Sequence, residues 1–185
     1  MFTVQDLDIA EKTMSSSLSS CDLYTPEKSD ISYRLHCKSN LARGTSCELM
    51  IVDCMKKFGI DCDHMGGSQN RHDITLYTGG KVRRAEVKSS VLGPTSNKYY
   101  FVKVKPALFD ILYLSFVTPV NGVVIKTIGK QELMAWIELY SPKNKNEKHT
   151  EKTAEYDIYF RSDMTHPKMQ SVLWNPESQR MELTI

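Results

Sequence analysis

The sequence lacks any run of apolar residues long enough to cross a membrane, which takes about 20 in a helix, so a transmembrane helix is excluded. It also lacks a secretory start. Met1 to Leu18 carries Asp6, Asp8 and Glu11 where a signal peptide would be basic and then apolar. Cysteines are few and odd in number: Cys21, Cys37, Cys47, Cys54 and Cys62 fit no disulfide framework, and reduced thiols in the cytoplasm are the expected state. Cys54, Cys62, His64 and His72 lie close in sequence but without the paired spacing of a zinc site, so buried free thiols and surface imidazoles are expected. A strong basic excess is missing too. The formal net charge is +2, little for a protein that binds nucleic acid by charge alone. No internal repeat is visible.

What is present fits an ordinary globular protein. The 185 residues, 25% charged and 41% apolar, are expected to form a single domain over 1–185 with a sizeable core. Within it, His72 to Lys88 reads as a β-hairpin. Ile74, Leu76, Ala85 and Val87 alternate with polar neighbours, the period-2 signal of a half-buried strand. Gly79-Gly80 suits a two-residue type I′ turn, whose central positions both need positive φ. With those glycines as the loop, Thr78 stands opposite Lys81, Ile74 opposite Ala85, and Asp73 opposite Glu86.

That register gathers charge in a specific way. Directly opposed residues have Cβ atoms roughly 4.5–5.5 Å apart, and like charges there are destabilising. A hard cation offsets such repulsion, since Mg²⁺ is held by one or two carboxylates together with water and phosphate oxygens. Lys88, two residues after Glu86, projects from the same face and can hold a water or a phosphate oxygen beside the ion. Two acids, a lysine and a divalent metal are the parts of metal-assisted phosphodiester hydrolysis.

Asp73 followed by Glu86-Val87-Lys88 resembles the PD-(D/E)xK nuclease superfamily, which includes many restriction endonucleases and archaeal Holliday-junction resolvases. The pattern is an acid on one strand, then an acid, any residue and lysine on the next, often with an apolar residue before the lysine, as Val87 is. His72 stands where the family often has proline. The resemblance covers roughly residues 41–140, leaving an N-terminal helical segment, 1–40, and a C-terminal extension, 141–185. It implies an α/β (α+β) fold with a central mixed β-sheet flanked by helices and a restriction-endonuclease-like core. It further implies a Mg²⁺-dependent DNA endonuclease, with Mn²⁺ as a substitute ion and no organic cofactor. Asp73, Glu86 and Glu48 would be the metal-site residues and Lys88 the group that orients the attacking water. DNA is the implied partner and a homodimer the implied assembly, because one compact unit makes one cut. A structure-specific nuclease acting on junctions or flaps, and a non-catalytic nucleic-acid-binding protein on the same scaffold, are the alternatives.

The flanking sequence keeps the order that fold requires. Thr45-Ser46-Cys47-Glu48 opens a helical pattern that runs to Phe58 and stops at Gly59, with Ile51, Met55 and Phe58 on one face. Glu48 points partly toward the core, and the resemblance makes it the helix glutamate that assists the metal. Thr45-x-x-Glu48 also reads as a capping box, in which the glutamate only satisfies a backbone N–H. Tyr99 to Val104 reads as a strand, Ile111 to Val117 as a strand covered on both faces, Val123 to Ile128 as a strand after the Asn121-Gly122 turn, and Lys130 to Tyr140 as a helix. A helix near Val4 to Leu18, a polar surface loop over 141–153, and strands at Tyr156 to Phe160 and Met181 to Ile185 complete the expectation. Lys81, Arg83, Arg84, Lys98, Lys103 and Lys105 are candidate phosphate contacts. The loop Gly66 to Arg71 adjoins the acids, with no base contact assigned.

Overall fold

In the computed structural model, which describes residues 23–67, 71–140, 154–164 and 180–181, the elements run α1 (Asp30–Cys37), α2 (Asn40–Lys57), β1 (Asp61–His64), β2 (Ile74–Thr78), β3 (Lys81–Val91), β4 (Lys98–Val104), β5 (Ile111–Val117), β6 (Val123–Gly129), α3 (Lys130–Tyr140), β7 (Tyr156–Arg161) and β8 (Arg180–Met181). The hairpin organises the sheet. Gly79 and Gly80 both take positive φ, +58° and +72°, so β2 turns into β3 with Thr78 opposite Lys81 and Ile74 opposite Ala85, the expected register. β3 continues past the end of β2 and pairs in parallel with β5, from Ala85↔Ile111 to Val91↔Val117. β5 pairs antiparallel with β6, and the sheet order is β1-β2-β3-β5-β6-β8. This is the mixed central sheet flanked by helices that the sequence implied.

Its two faces are covered differently. Adjacent strand residues point to opposite faces, so Ser115 and Phe116 report on one face each. Ser115 and its ladder partner Ser89 lie beside the Cys47 thiol of α2, and the Cys62 thiol donates to Val52 O at 3.7 Å, so α2 covers that face. Phe116 packs edge-on against Tyr99, Phe101 and Phe160, with ring centroids 5.1, 4.9 and 5.2 Å apart. Those three rings belong to β4 and β7, which pair with each other in a separate two-stranded sheet. The Tyr99 strand and the Tyr156 strand are therefore where the sequence placed them, and together they cover one face of the central sheet. α3 adds buried Leu133, Trp136 and Ile137.

Several boundaries differ from the sequence expectation. α2 begins at Asn40, capped by Ser39, whose side chain accepts from Ala42 N. Thr45 is thus a mid-helix residue and no capping box forms. Phe58 is 73% exposed while Ile51 and Met55 are buried, because the helix has ended and Phe58 no longer follows its inward face. α1 falls within the segment 1–40 expected to be helical, though no helix was placed at those residues, and β1 had no counterpart in the sequence. The helix expected near Val4 to Leu18, the loop 141–153 and most of the last strand lie outside the described residues. No helix among the described residues is long and apolar enough to cross a membrane.

Candidate active site at the fork between β2 and β3

β2 and β3 part at Asp73. The regular ladder ends with Ile74↔Ala85, one pair short of the facing Asp73–Glu86 pair read from the sequence. Asp73 instead donates its N–H to Ala85 O at 3.0 Å, and its Oδ2 accepts from Val87 N at 2.7 Å. The carboxylate takes the place of a strand partner for Val87. An unpaired N–H in a partly buried sheet is costly, so this bond explains why Asp73 sits in the gap where β2 leaves β3.

Glu86 and Lys88 occupy the same face of β3, as the period predicted, with Lys88 Nζ 2.6 Å from Glu86 Oε1. Both are largely buried, at 15% and 25% side-chain exposure. Burial pushes the Glu86 carboxyl above its ordinary range; Lys88 works against this, and the charges of Asp73 and Glu48 add to it.

Glu48 comes from α2, on the far side of the sheet, and still reaches this group through the fork. Burial raises its carboxyl, with Asp73 adding to the rise and His64 and Lys88 opposing it. His64 Nε2 lies 2.8 Å from Glu48 Oε2. The structure thus brings together all four residues singled out from the sequence, Asp73, Glu86, Lys88 and Glu48, and adds His64. The histidine was expected at the surface, but β1 turns it inward beside Ile74. Its only sequence signal is its position sixteen residues after Glu48, which no periodicity explains.

Each acid has one oxygen committed: Asp73 to the Val87 N–H, Glu86 to Lys88, Glu48 to His64. Among the described residues, no protein hydrogen bond reaches Asp73 Oδ1, Glu86 Oε2 or Glu48 Oε1. An all-oxygen donor set of this kind suits a hard cation such as Mg²⁺. The side chains are nevertheless not drawn into a ready cage, for no group of three or more His, Cys, Asp and Glu among the described residues stands in metal-holding geometry. The donor chemistry fits; the carboxylates would have to turn toward the ion.

Of the basic residues, Arg84 is occupied by Asp110 and Lys105 by Glu155, at 3.2 and 2.6 Å, and Lys98 lies over the Tyr159 ring at 4.8 Å. Lys81 and Arg83 remain exposed on the hairpin. Of the cysteines and histidines that lie close in sequence, the Cys62 thiol bonds Val52 O, His64 lies against Glu48, and His72 against Thr75 Oγ1 at 2.9 Å.

No protein-family model and no curated protein matches the chain. Among solved structures, the fold is similar to that of a bacterial homing endonuclease, I-Ssp6803I, at 11% identity and a TM-score of 0.47, over 73% of this chain and 84% of that one. A likeness at that distance is one of general shape, and the chemistry of the site rests on its own residues.

Proposed function

We propose that the chain is a divalent-metal-dependent nuclease that hydrolyses phosphodiester bonds in DNA at the fork between β2 and β3. The observation that carries this is the convergence of Asp73 from just before β2, Glu86 from β3 and Glu48 from α2 into one partly buried place, with Lys88 among them. Gathering three acids is electrostatically unfavourable, and a fold that does so beside a lysine is arranged for a cation and an anion together. Asp73, Glu86 and Glu48 would hold Mg²⁺, with Mn²⁺ as a substitute. When bound, the ion supplies Lewis acidity and activates water. Lys88 carries its ammonium to a phosphate oxygen or to the attacking water, and exposed Lys81 and Arg83 lie on the adjoining hairpin to meet the backbone of the nucleic acid.

The test is to incubate the protein with supercoiled plasmid, four-way junctions and flaps, with Mg²⁺ and with chelator. Metal-dependent cutting that is lost in Lys88→Ala supports the reading. Discrete plasmid fragments point to a restriction-type enzyme acting as a homodimer, and cutting confined to junctions or flaps points to a resolvase-like one. Binding without cutting under any divalent metal would leave a nucleic-acid-binding protein in its place.

A further inference from the structure

His64 belongs to no part of the acid-acid-lysine pattern, yet four contacts fix it at the fork. The ladder pair His64↔Ile74 sets it beside the residue after Asp73. The next residue, Met65, donates its N–H to Asp73 O at 2.8 Å, so the end of β1 is stitched to the backbone that carries the acid. The ring itself is boxed. A Cβ at Gly66 would stand 3.3 Å from the ring Cε1 and 3.5 Å from Nδ1, and Gly66 has φ +39°. A side chain at position 66 would press the ring by a few tenths of an ångström and strain a left-handed backbone. On its other side, Nε2 meets Glu48 Oε2 at 2.8 Å, with the two side chains only 21% and 17% exposed.

Glu48 needs such a partner. Its side chain is long and rotameric, it starts on the helix side of the sheet, and it must end among acids that repel it. With Oε2 held, the other oxygen, Oε1, lies 3.9 Å from where a Cβ at Gly44 would stand. Gly44 stands one turn before Glu48 inside α2, and at that distance a Cβ there would make only an ordinary contact with the carboxylate.

We infer that His64 is a positioning residue of the metal site: its Nε2–H holds Glu48 Oε2, which fixes the carboxylate at the fork and leaves Oε1 for the divalent cation. This rests on the nuclease reading of the same site. It assigns to a histidine the role that supporting partners play around many metal sites, where their loss weakens metal affinity by about 10–100-fold.

The experiment is Mn²⁺ binding to the full chain without DNA, measured by the paramagnetic signal of free Mn²⁺, with thermal unfolding of each metal-free variant alongside. His64→Leu removes the N–H and is expected to weaken Mn²⁺ binding by about 10–100-fold. His64→Gln retains an N–H at the length of Nε2 and is expected to recover most of the loss. Gly66→Ala, which displaces the ring without touching Glu48, should weaken binding in the same direction. In a Glu48→Gln background, His64→Leu should add no further loss. If His64→Leu binds Mn²⁺ as tightly as the wild type, or if His64→Gln is as weak as His64→Leu, the positioning role is wrong while the metal site stands. If the wild-type chain binds no Mn²⁺, the nuclease reading falls and this inference with it.

Discussion

Glu86 on β3 and Asp110 at the entry to the neighbouring strand β5 are each an acid beside a base, and their environments oppose each other. Asp110, just before β5, accepts from Arg84 N at 2.9 Å and is held by the Arg84 guanidinium, while its own N–H donates to Arg84 O. Those bonds hold its carboxyl below the ordinary 3.8, with burial only partly opposing them. Glu86 has a closer base, Lys88 at 2.6 Å, and is still pushed above the ordinary 4.5, because burial and two further acids outweigh the lysine. One acid is satisfied and stitches β3 to β5. The other is kept in a place that disfavours its charge. The first arrangement stabilises the fold; on the proposed function, the second is kept for a cation that completes it.

The two acids consequently respond to pH with opposite sign. The depressed carboxyl of Asp110 contributes stability that is fully present above 3.8 and is lost as pH falls through its folded value. The raised carboxyl of Glu86 works the other way: its ionisation weakens the fold increasingly as pH climbs from 4.5 through its folded value.

The sharpest way to break the comparison is to remove each charge. Glu86→Gln should reduce plasmid cleavage by about 10²–10³-fold or more, with a metal-free Tm no lower than that of the wild type. A large drop in Tm would mean that Glu86 is a structural acid like Asp110. Asp73 separates the two roles within a single residue. Asp73→Ala strands the Val87 N–H and should destabilise the fold by about 1–3 kcal/mol, whereas Asp73→Asn keeps an acceptor for that N–H. Both should be inactive, so equal stability of the pair by denaturant unfolding would remove the strand-partner role. Asp110→Ala should cost about 1 kcal/mol, chiefly the bond to Arg84 N, since the partly exposed ion pair adds little. Its deficit in Tm should shrink below pH 3.8, and cleavage per folded molecule should be unchanged. The smallest effect is expected at Gly44: Gly44→Ala should stabilise α2 by up to ~1 kcal/mol, since the new Cβ makes only an ordinary contact with Glu48.

How much of this the sequence disclosed follows from the range of each interaction. The hairpin register and the shared face of Glu86 and Lys88 depend on local period and on two glycines, and both are legible. The fork is not, because it depends on a side chain, that of Asp73, bonding a backbone N–H fourteen residues away. The start of α2 was misplaced because Leu41 is 82% exposed, so the first turns show no apolar stripe and the Thr45-x-x-Glu48 box imitates a beginning. β1 is four residues with only Cys62 buried, too short and polar to show alternation, and His64 was lost with it. The pairing of β4 with β7 joins residues some sixty positions apart, which no local pattern encodes.

One oxygen near the start of the described chain has a consequence for how the molecule is assembled in time. The Tyr24 hydroxyl donates to Val117 O and accepts from Leu92 N, each at 2.7 Å, across 93 and 68 residues of sequence, while its ring stacks on His36. It buckles together the far ends of β3 and β5. On the ribosome Tyr24 emerges long before either strand is complete, so this bond closes only after the parallel pair has formed. Contacts of such long separation slow folding. A fragment cut to residues 41–140, the span marked out by the nuclease-like motif, would hold every acid of the site and still have no buckle.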